Sequence, residues 1–225
     1  MKDVSIGFKQ NKPLVDSLNL EIYSGEIVAI AGPSGIGKTT MLKTIAGLVP
    51  PLSGKIEVCG SKIPSLPPRG SLGYIPQRLG LVRHASVYHN VMMGALAGNA
   101  SRWFPYSTEA RRLTLESIEL MGIKDKIRTP IRKLSGGQQR RVATARTLAQ
   151  RPSLILADEF LSELDEETMN SVMDSVKNYV KENNATLLVV EHDIARSKIL
   201  ADRLLIMDDG RLNPFITDPI IMEVK

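Results

Sequence analysis

The stretch Gly32-Pro33-Ser34-Gly35-Ile36-Gly37-Lys38-Thr39-Thr40 limits what this chain can fold into more than any other. It follows the apolar run Ile27-Val-Ala-Ile-Ala31 and opens a helical pattern over residues 40–48. The glycines let the backbone turn so tightly that successive N–H groups share one concavity, a shape suited to phosphate oxygens. The amino end of the next helix adds positive partial charge. Lys38 brings a full charge for the outer phosphates of a nucleotide, and the Thr39 hydroxyl is placed to ligate Mg²⁺. Such a loop needs a strand before it and a helix after it. Both are present, which leaves a purely structural glycine turn as the weaker alternative.

Other short apolar runs bounded by turns predict strands at residues 4–8, 18–22, 55–58, 72–75, 154–157, 186–190 and 203–207. Between about residues 86 and 150 the pattern is helical, with one break near 128–135. Ser107 or Thr108 is positioned to cap a helix there. Met169, Val172, Met173, Val176 and Val180 fall on one face of a later helix. The expected architecture is one α/β domain over residues 1–225. Residues 1–77 and 151–225 form its nucleotide-binding core, and about 78–150 form an inserted helical subdomain.

The 225 residues are 43% apolar and 24% charged, which excludes a disordered chain, a collagen-like fibre and a disulfide scaffold. One cysteine, Cys59, permits neither an intramolecular disulfide nor a cysteine zinc site, and a small buried hydrophobe is expected there. No apolar run approaches the ~20 residues of a membrane span. The amino terminus has no apolar signal core, so a cytoplasmic protein is expected. Net charge is +5, and the stretch from Arg78 to Arg141 holds twelve Lys and Arg against four Asp and Glu. The remainder of the chain is slightly acidic and aromatics are only 4%, so nucleic acid is not an expected partner. A solvated helical surface is the simplest reading of the basic segment.

Leu154-Ile-Leu-Ala-Asp158-Glu159 is an apolar strand that ends in two carboxylates. A buried parallel strand presents its carboxyl end to the ligand crevice, where Asp158 can hold Mg²⁺ directly or through water. Glu159 points elsewhere and can accept a proton from water. Taken alone, the pair could also be a helix cap. Leu134-Ser135-Gly136-Gly137-Gln138 opens a second helix with a second anion-binding end. One nucleotide does not need two such ends from one molecule.

These five residues are the signature of ATP-binding-cassette ATPases, and the chain resembles that family over nearly its whole length. Gln77, after a strand, and His192, after the 186–191 run, fall in the family's order. Phe8, thirty residues before Lys38, matches the aromatic that stacks on adenine, with a core aromatic as the alternative. Two positions depart from the family: Phe160 replaces the usual proline, and Glu163 replaces the alanine of Ser-Ala-Leu-Asp. The resemblance implies a P-loop core with an N-terminal antiparallel β subdomain and an inserted helical subdomain. It also implies head-to-tail pairing with a second copy of itself or a homologous cassette, so that Gly32–Thr39 of one faces Ser135, Gly136, Gly137 and Gln138, or their counterparts, of the other across ATP. Glu159 would be the general base, His192 would hold the γ-phosphate and water, and Thr39, Gln77 and Asp158 would surround Mg²⁺. Separate transmembrane permease subunits, and for an importer a substrate-binding protein, would place the chain on the cytoplasmic face of the membrane.

Wording such as Asn90-Val-Met-Met-Gly, Arg102-Trp103 and Val172-Met-Asp174 looks most like the ATPases of phosphonate importers. A non-transport cassette and a small-molecule P-loop kinase are the competing readings. The kinase would not need residues 134–138. His84 and His89 carry no metal-ligand spacing.

Overall fold

The computed structural model describes residues 1–9, 11–99 and 107–215; Arg102-Trp103 lies outside them. Its centre is a six-stranded sheet in the order β11-β10-β3-β9-β8-β7. The strands are β3 (Ile27–Ala31), β7 (Leu72–Ile75), β8 (Leu154–Asp158), β9 (Thr186–Glu191), β10 (Arg203–Asp208) and β11 (Arg211–Pro214). All neighbours are parallel except β10 and β11. The hairpin strand β11 has no counterpart among the strands expected from sequence, because its apolar content is a single leucine flanked by Arg211 and Asn213.

Both faces of the sheet are covered, which is why β3 is apolar throughout and β9 is apolar from Leu187 to Val190. Ile155, Ala157, Leu187 and Val189 face an apolar layer shared with the helices. Leu156, Leu188, Val190, Val28 and Ile30 face a second layer on the opposite side. The second layer includes Met41 and Leu42 of α1 (Lys38–Ile45), with Val4 and Ile6 of β1 (Lys2–Ile6). An antiparallel sheet, in the order β2-β1-β4, joins β2 (Val15–Leu18) and β4 (Ser53–Lys55) to β1. A small hairpin, β5 (Glu57–Val58) with β6 (Ser61–Lys62), follows.

The inserted helices are α2 (Val87–Asn99), α3 (Thr108–Leu120) and α4 (Gly136–Ala149), with α4 packed against the other two. Ser107 is the cap of α3, accepting a hydrogen bond from the Ala110 amide. Helix α5 (Glu166–Asn183) buries Val172, Met173, Val176 and Val180, the face expected from their spacing, and α6 (Ile194–Leu200) follows β9.

Several expectations are corrected. The first strand ends at Ile6 rather than residue 8, because Gly7 turns the chain and Ile6 accepts from the Leu14 amide. Phe8 is therefore outside the strand and 77% exposed, which excludes the core-aromatic reading. The second strand is Val15–Leu18 rather than 18–22, since Val15 pairs with Ile6 and Leu18 with Val4. Residues 55–58 split between β4 and β5, which pair with different strands. The helical break is longer than expected and holds two short 3-10 turns, Lys124–Lys126 and Ile131–Lys133. Cys59 is exposed rather than buried, at a left-handed turn (φ 48°) between β5 and β6.

Candidate nucleotide site

Strand β3 ends at Ala31 and hands the chain to the glycine loop, as the motif requires. Gly32 is needed for close approach, because a Cβ there would collide with the Met207 carbonyl of β10. Gly37 is the residue before α1 and adopts φ 115°, where an L side chain would be strained. Lys38 folds back over the loop and donates to the carbonyls of Gly32 (2.6 Å) and Pro33 (2.8 Å). Its ammonium is pushed below the usual lysine range by burial, opposed by the charges of Glu159, Asp158 and Glu191.

The loop borders a cleft of about 350 Å³ lined by Phe8, Ser34, Gly35, Gly37, Lys38, Thr39, Thr40, Gln77 and Glu159, with Leu14. Ile36 instead packs on the apolar layer beneath the loop. An exposed aromatic ring, a phosphate-shaped backbone and a lysine thus share one cavity.

Asp158 ends β8 almost fully buried, and its Oδ1 accepts from the Thr39 hydroxyl at 3.1 Å. Its Oδ2 is buried without a hydrogen-bond partner among the described residues. Burial pushes this carboxyl up, and the Thr39 hydrogen bond opposes the shift. A buried oxygen lacking a partner beside a hydroxyl suits a hard divalent cation. At the next residue the backbone turns to φ 51°, with the Glu159 amide donating to Val190 O at 3.0 Å. The turn carries the Glu159 side chain to the cleft. There its Oε2 accepts from Gln77 Nε2 at 3.0 Å, and its Oε1 lies 3.9 Å from His192 Nδ1.

Ser135, Gly136, Gly137 and Gln138 line a different pocket together with Arg141, Glu163, Leu164, Asp165 and Thr168. Ser135 caps α4 by accepting from the Gln138 amide at 3.2 Å, and Gln138 Oε1 accepts from the Ser135 amide at 3.1 Å. The Gly136 and Gly137 amides fall in the first turn, where N–H groups have no partner within the helix. The two pockets share no residue.

The ABC transporter family profile matches residues 15–162. The chain belongs to the ABC transporter family. Over 94% of its length the cassette is 36% identical to a hypophosphite import ATP-binding protein of Stutzerimonas stutzeri, covering 67% of that protein. It is 35% identical to a phosphonates import ATP-binding protein of Trichormus variabilis over 90% of this chain and 85% of that one. A carnitine transport ATP-binding protein of Listeria monocytogenes is 37% identical, and the cassette spans 54% of its length. Several curated relatives are thus about twice as long as the aligned region. A solved dimeric ATP-binding cassette, MJ0796 in a post-hydrolysis state bound to ADP and Pi, superposes with a TM-score of 0.82. It is 31% identical over 94% of both chains.

The sequence reading of the cassette missed two buried charges. Glu191 ends β9 beside Ala31 of β3, 1% exposed, and neither carboxylate oxygen has a hydrogen-bond partner among the described residues. Burial first, and the charge of Glu159 second, push its carboxyl up to about 7. The signal was a charged residue closing an otherwise apolar strand. Arg140, buried in α4, holds Glu163 at 3.3 Å, and nothing local in the sequence announces that pair. Phe160 is 1% exposed within the helical-side core. His84 and His89 are surface residues.

Proposed function

We propose that two copies of this cassette pair head to tail, bind ATP between them and hydrolyse it to drive an importer through separate transmembrane subunits. The observation that carries this reading is the division of anion-binding helix ends between two pockets with no residue in common. A phosphate chain seated at α1 of one copy then finds its second contact at Ser135–Gln138 of the other.

In this reading the adenine stacks on Phe8, whose ring is otherwise left in water. The loop amides of residues 34–40 receive the phosphates, and Lys38 exchanges its two carbonyl partners for outer phosphate oxygens. Thr39, Gln77 and Asp158 would hold Mg²⁺, which when bound neutralises charge on the transferring phosphoryl group. Glu159 takes a proton from the attacking water as its oxygen bonds to the γ-phosphorus and the bond to the β–γ bridging oxygen breaks. ADP and phosphate result. His192, near Glu159, holds the γ-phosphate and the water in place. No covalent intermediate on the protein is needed.

Residues 1–77 and 151–225 would form the nucleotide core, and about 78–150 the helical signature subdomain, which carries the contact made in trans and offers its basic side to the membrane partner. Among the described residues no helix is long and apolar enough to cross a membrane, and the path for cargo belongs to partner subunits on whose cytoplasmic face the cassette sits. The import assignment rests on the shared function in the relatives' names. Phosphorus oxyanions, phosphonate among them, are the cargo class supported by two of those relatives and by the wording of residues 90–174. A substrate-binding protein would deliver that cargo.

The test mixes two defective proteins. Lys38→Ala removes the phosphate charge of one site half, and Ser135→Arg blocks the other. Each alone should be inactive, and the mixture should recover ATP hydrolysis from one intact composite site. No recovery, with parent activity independent of protein concentration, would place the whole site within one chain.

A further inference from the structure

The loop between β8 and α5 lays Glu163 across the amino end of α4. We propose that the Glu163 carboxylate, clamped by Arg140, is a tethered anion filling the signature end in the unpaired chain, so that nucleotide carried by a second copy must displace it. This rests on the reading of Ser135–Gln138 as a contact made in trans.

Glu163 Oε2 lies so close to Gly136 that a Cβ added there would collide with it, and one added at Gly137 would sit 3.0 Å from the Glu163 carbonyl oxygen. The other carboxylate oxygen, Oε1, is 3.3 Å from Nη2 of Arg140. The Arg140 side chain is only 6% exposed while that of Glu163 is 63% exposed. Among the described residues, buried Nε and Nη1 of Arg140 have no hydrogen-bond partner and Glu163 supplies the one carboxylate contact of a guanidinium that could donate five hydrogen bonds. Asp165, the other acid of this loop, is occupied as the cap of α5 through the Thr168 amide. Arg141, also at the pocket, donates to the carbonyls of Met121 and Gly122.

A carboxylate is favoured at a helix amino end for the same reason a phosphate is. The two therefore compete for one place, and they repel each other while both are near it. Leaving, Glu163 gives up its contact with Arg140, and the nucleotide must supply enough at the signature end to offset that loss. The family's alanine at this position has no such charge to move. This chain is thereby set to require more nucleotide before it pairs.

The experiment measures the ATP concentration that half-saturates dimerisation, by analytical ultracentrifugation, in a Glu159→Gln background that keeps the nucleotide intact. Glu163→Gln retains size and an acceptor for Arg140 while removing the charge, so it stays foldable where Glu163→Ala, which strips both, melts early. Both should pair at about two- to tenfold less ATP per site than the Glu163 protein, the span expected of one charge at a helix end. Glu163→Asp should stay near the parent value. The gain should shrink at high salt, where the carboxylate is screened. Dimers forming at the same or a higher ATP concentration in Glu163→Gln would overturn the latch and leave the composite site standing. No dimer with ATP in any background would overturn the composite site and the latch with it.

Discussion

The Thr39 hydroxyl and the Asp158 carboxylate, 119 residues apart in the chain, meet at 3.1 Å. The contact ties the start of α1 to the end of β8 and leaves Asp158 Oδ2 buried without a partner. Asp158→Asn keeps the shape and the acceptor for Thr39 but loses the charge. Outer partners of a metal typically contribute about 10- to 100-fold to its affinity, so losing this carboxylate, whether it holds Mg²⁺ directly or through water, should cost at least about 10-fold. Titration of a fluorescent ATP analogue should show near-parent affinity without Mg²⁺ and little of the gain the parent shows with it. A full Mg²⁺ effect in the variant would remove Asp158 from the cation site.

Glu191 makes stability depend on pH. Its folded carboxyl is raised to about 7, whereas an unfolded glutamate titrates near 4.3. The folded chain therefore holds this proton more tightly, and the associated stability is complete below about pH 4 and is lost as pH rises towards 7. The span corresponds to at most about 4 kcal/mol for a group this buried. Glu191→Gln should flatten that portion of the profile and be the more stable protein at pH 8 by about 1–3 kcal/mol. Urea unfolding of both proteins at pH 5 and pH 8 measures it. Parallel profiles would mean that Glu191 stays ionised in the fold.

Phe160 shows what the sequence could and could not disclose. As a departure from the family's proline it was visible, yet its fate was not. The structure buries the ring in the core between sheet and helices. Phe160→Ala should cost about 3–5 kcal/mol, read as a lower denaturation midpoint, with Phe160→Leu costing less. The phosphate loop, Asp158 and the signature were legible because each is a contiguous string whose chemistry is local. The Arg140–Glu163 pair was not, because it joins a helix to a loop 23 residues away through packing alone. Phe8 lay in an apolar run that read as strand, and only the turn at Gly7 takes it out.

The basic segment divides on inspection of its partners. Arg112 is held by Glu109 and Glu116, one helical turn to either side, and its charge is spent within α3. Arg111 and Arg128 instead line a groove with Tyr88, Leu115 and Ile127. Arg111→Glu with Arg128→Glu should weaken binding to vesicles carrying the membrane subunits, most at low salt, while ATP hydrolysis by the free cassette is unchanged. Arg112→Glu should affect the stability of α3 rather than that binding. Equal loss from both changes would make the segment a general charged surface.

Glu159 carries the most direct test of the chemistry. The change to Gln keeps the side chain's size and its reach to Gln77 but removes the group that accepts a proton. A general base typically contributes about 10²- to 10⁴-fold, so hydrolysis should fall by that order. The same change removes a negative charge beside the cleft where the γ-phosphate would lie, so ATP affinity should hold or rise. With turnover blocked, ATP stays in place and shifts the population towards whichever state binds it better. If that state is the head-to-tail pair, Glu159→Gln should elute as a dimer with ATP and as a monomer with ADP or without nucleotide. Hydrolysis at the parent rate would dismiss Glu159 as the base. An inactive protein that stays monomeric with saturating ATP points to the Glu163 contact, and adding Glu163→Gln should then restore pairing; if it does not, the head-to-tail pair is overturned together with the latch.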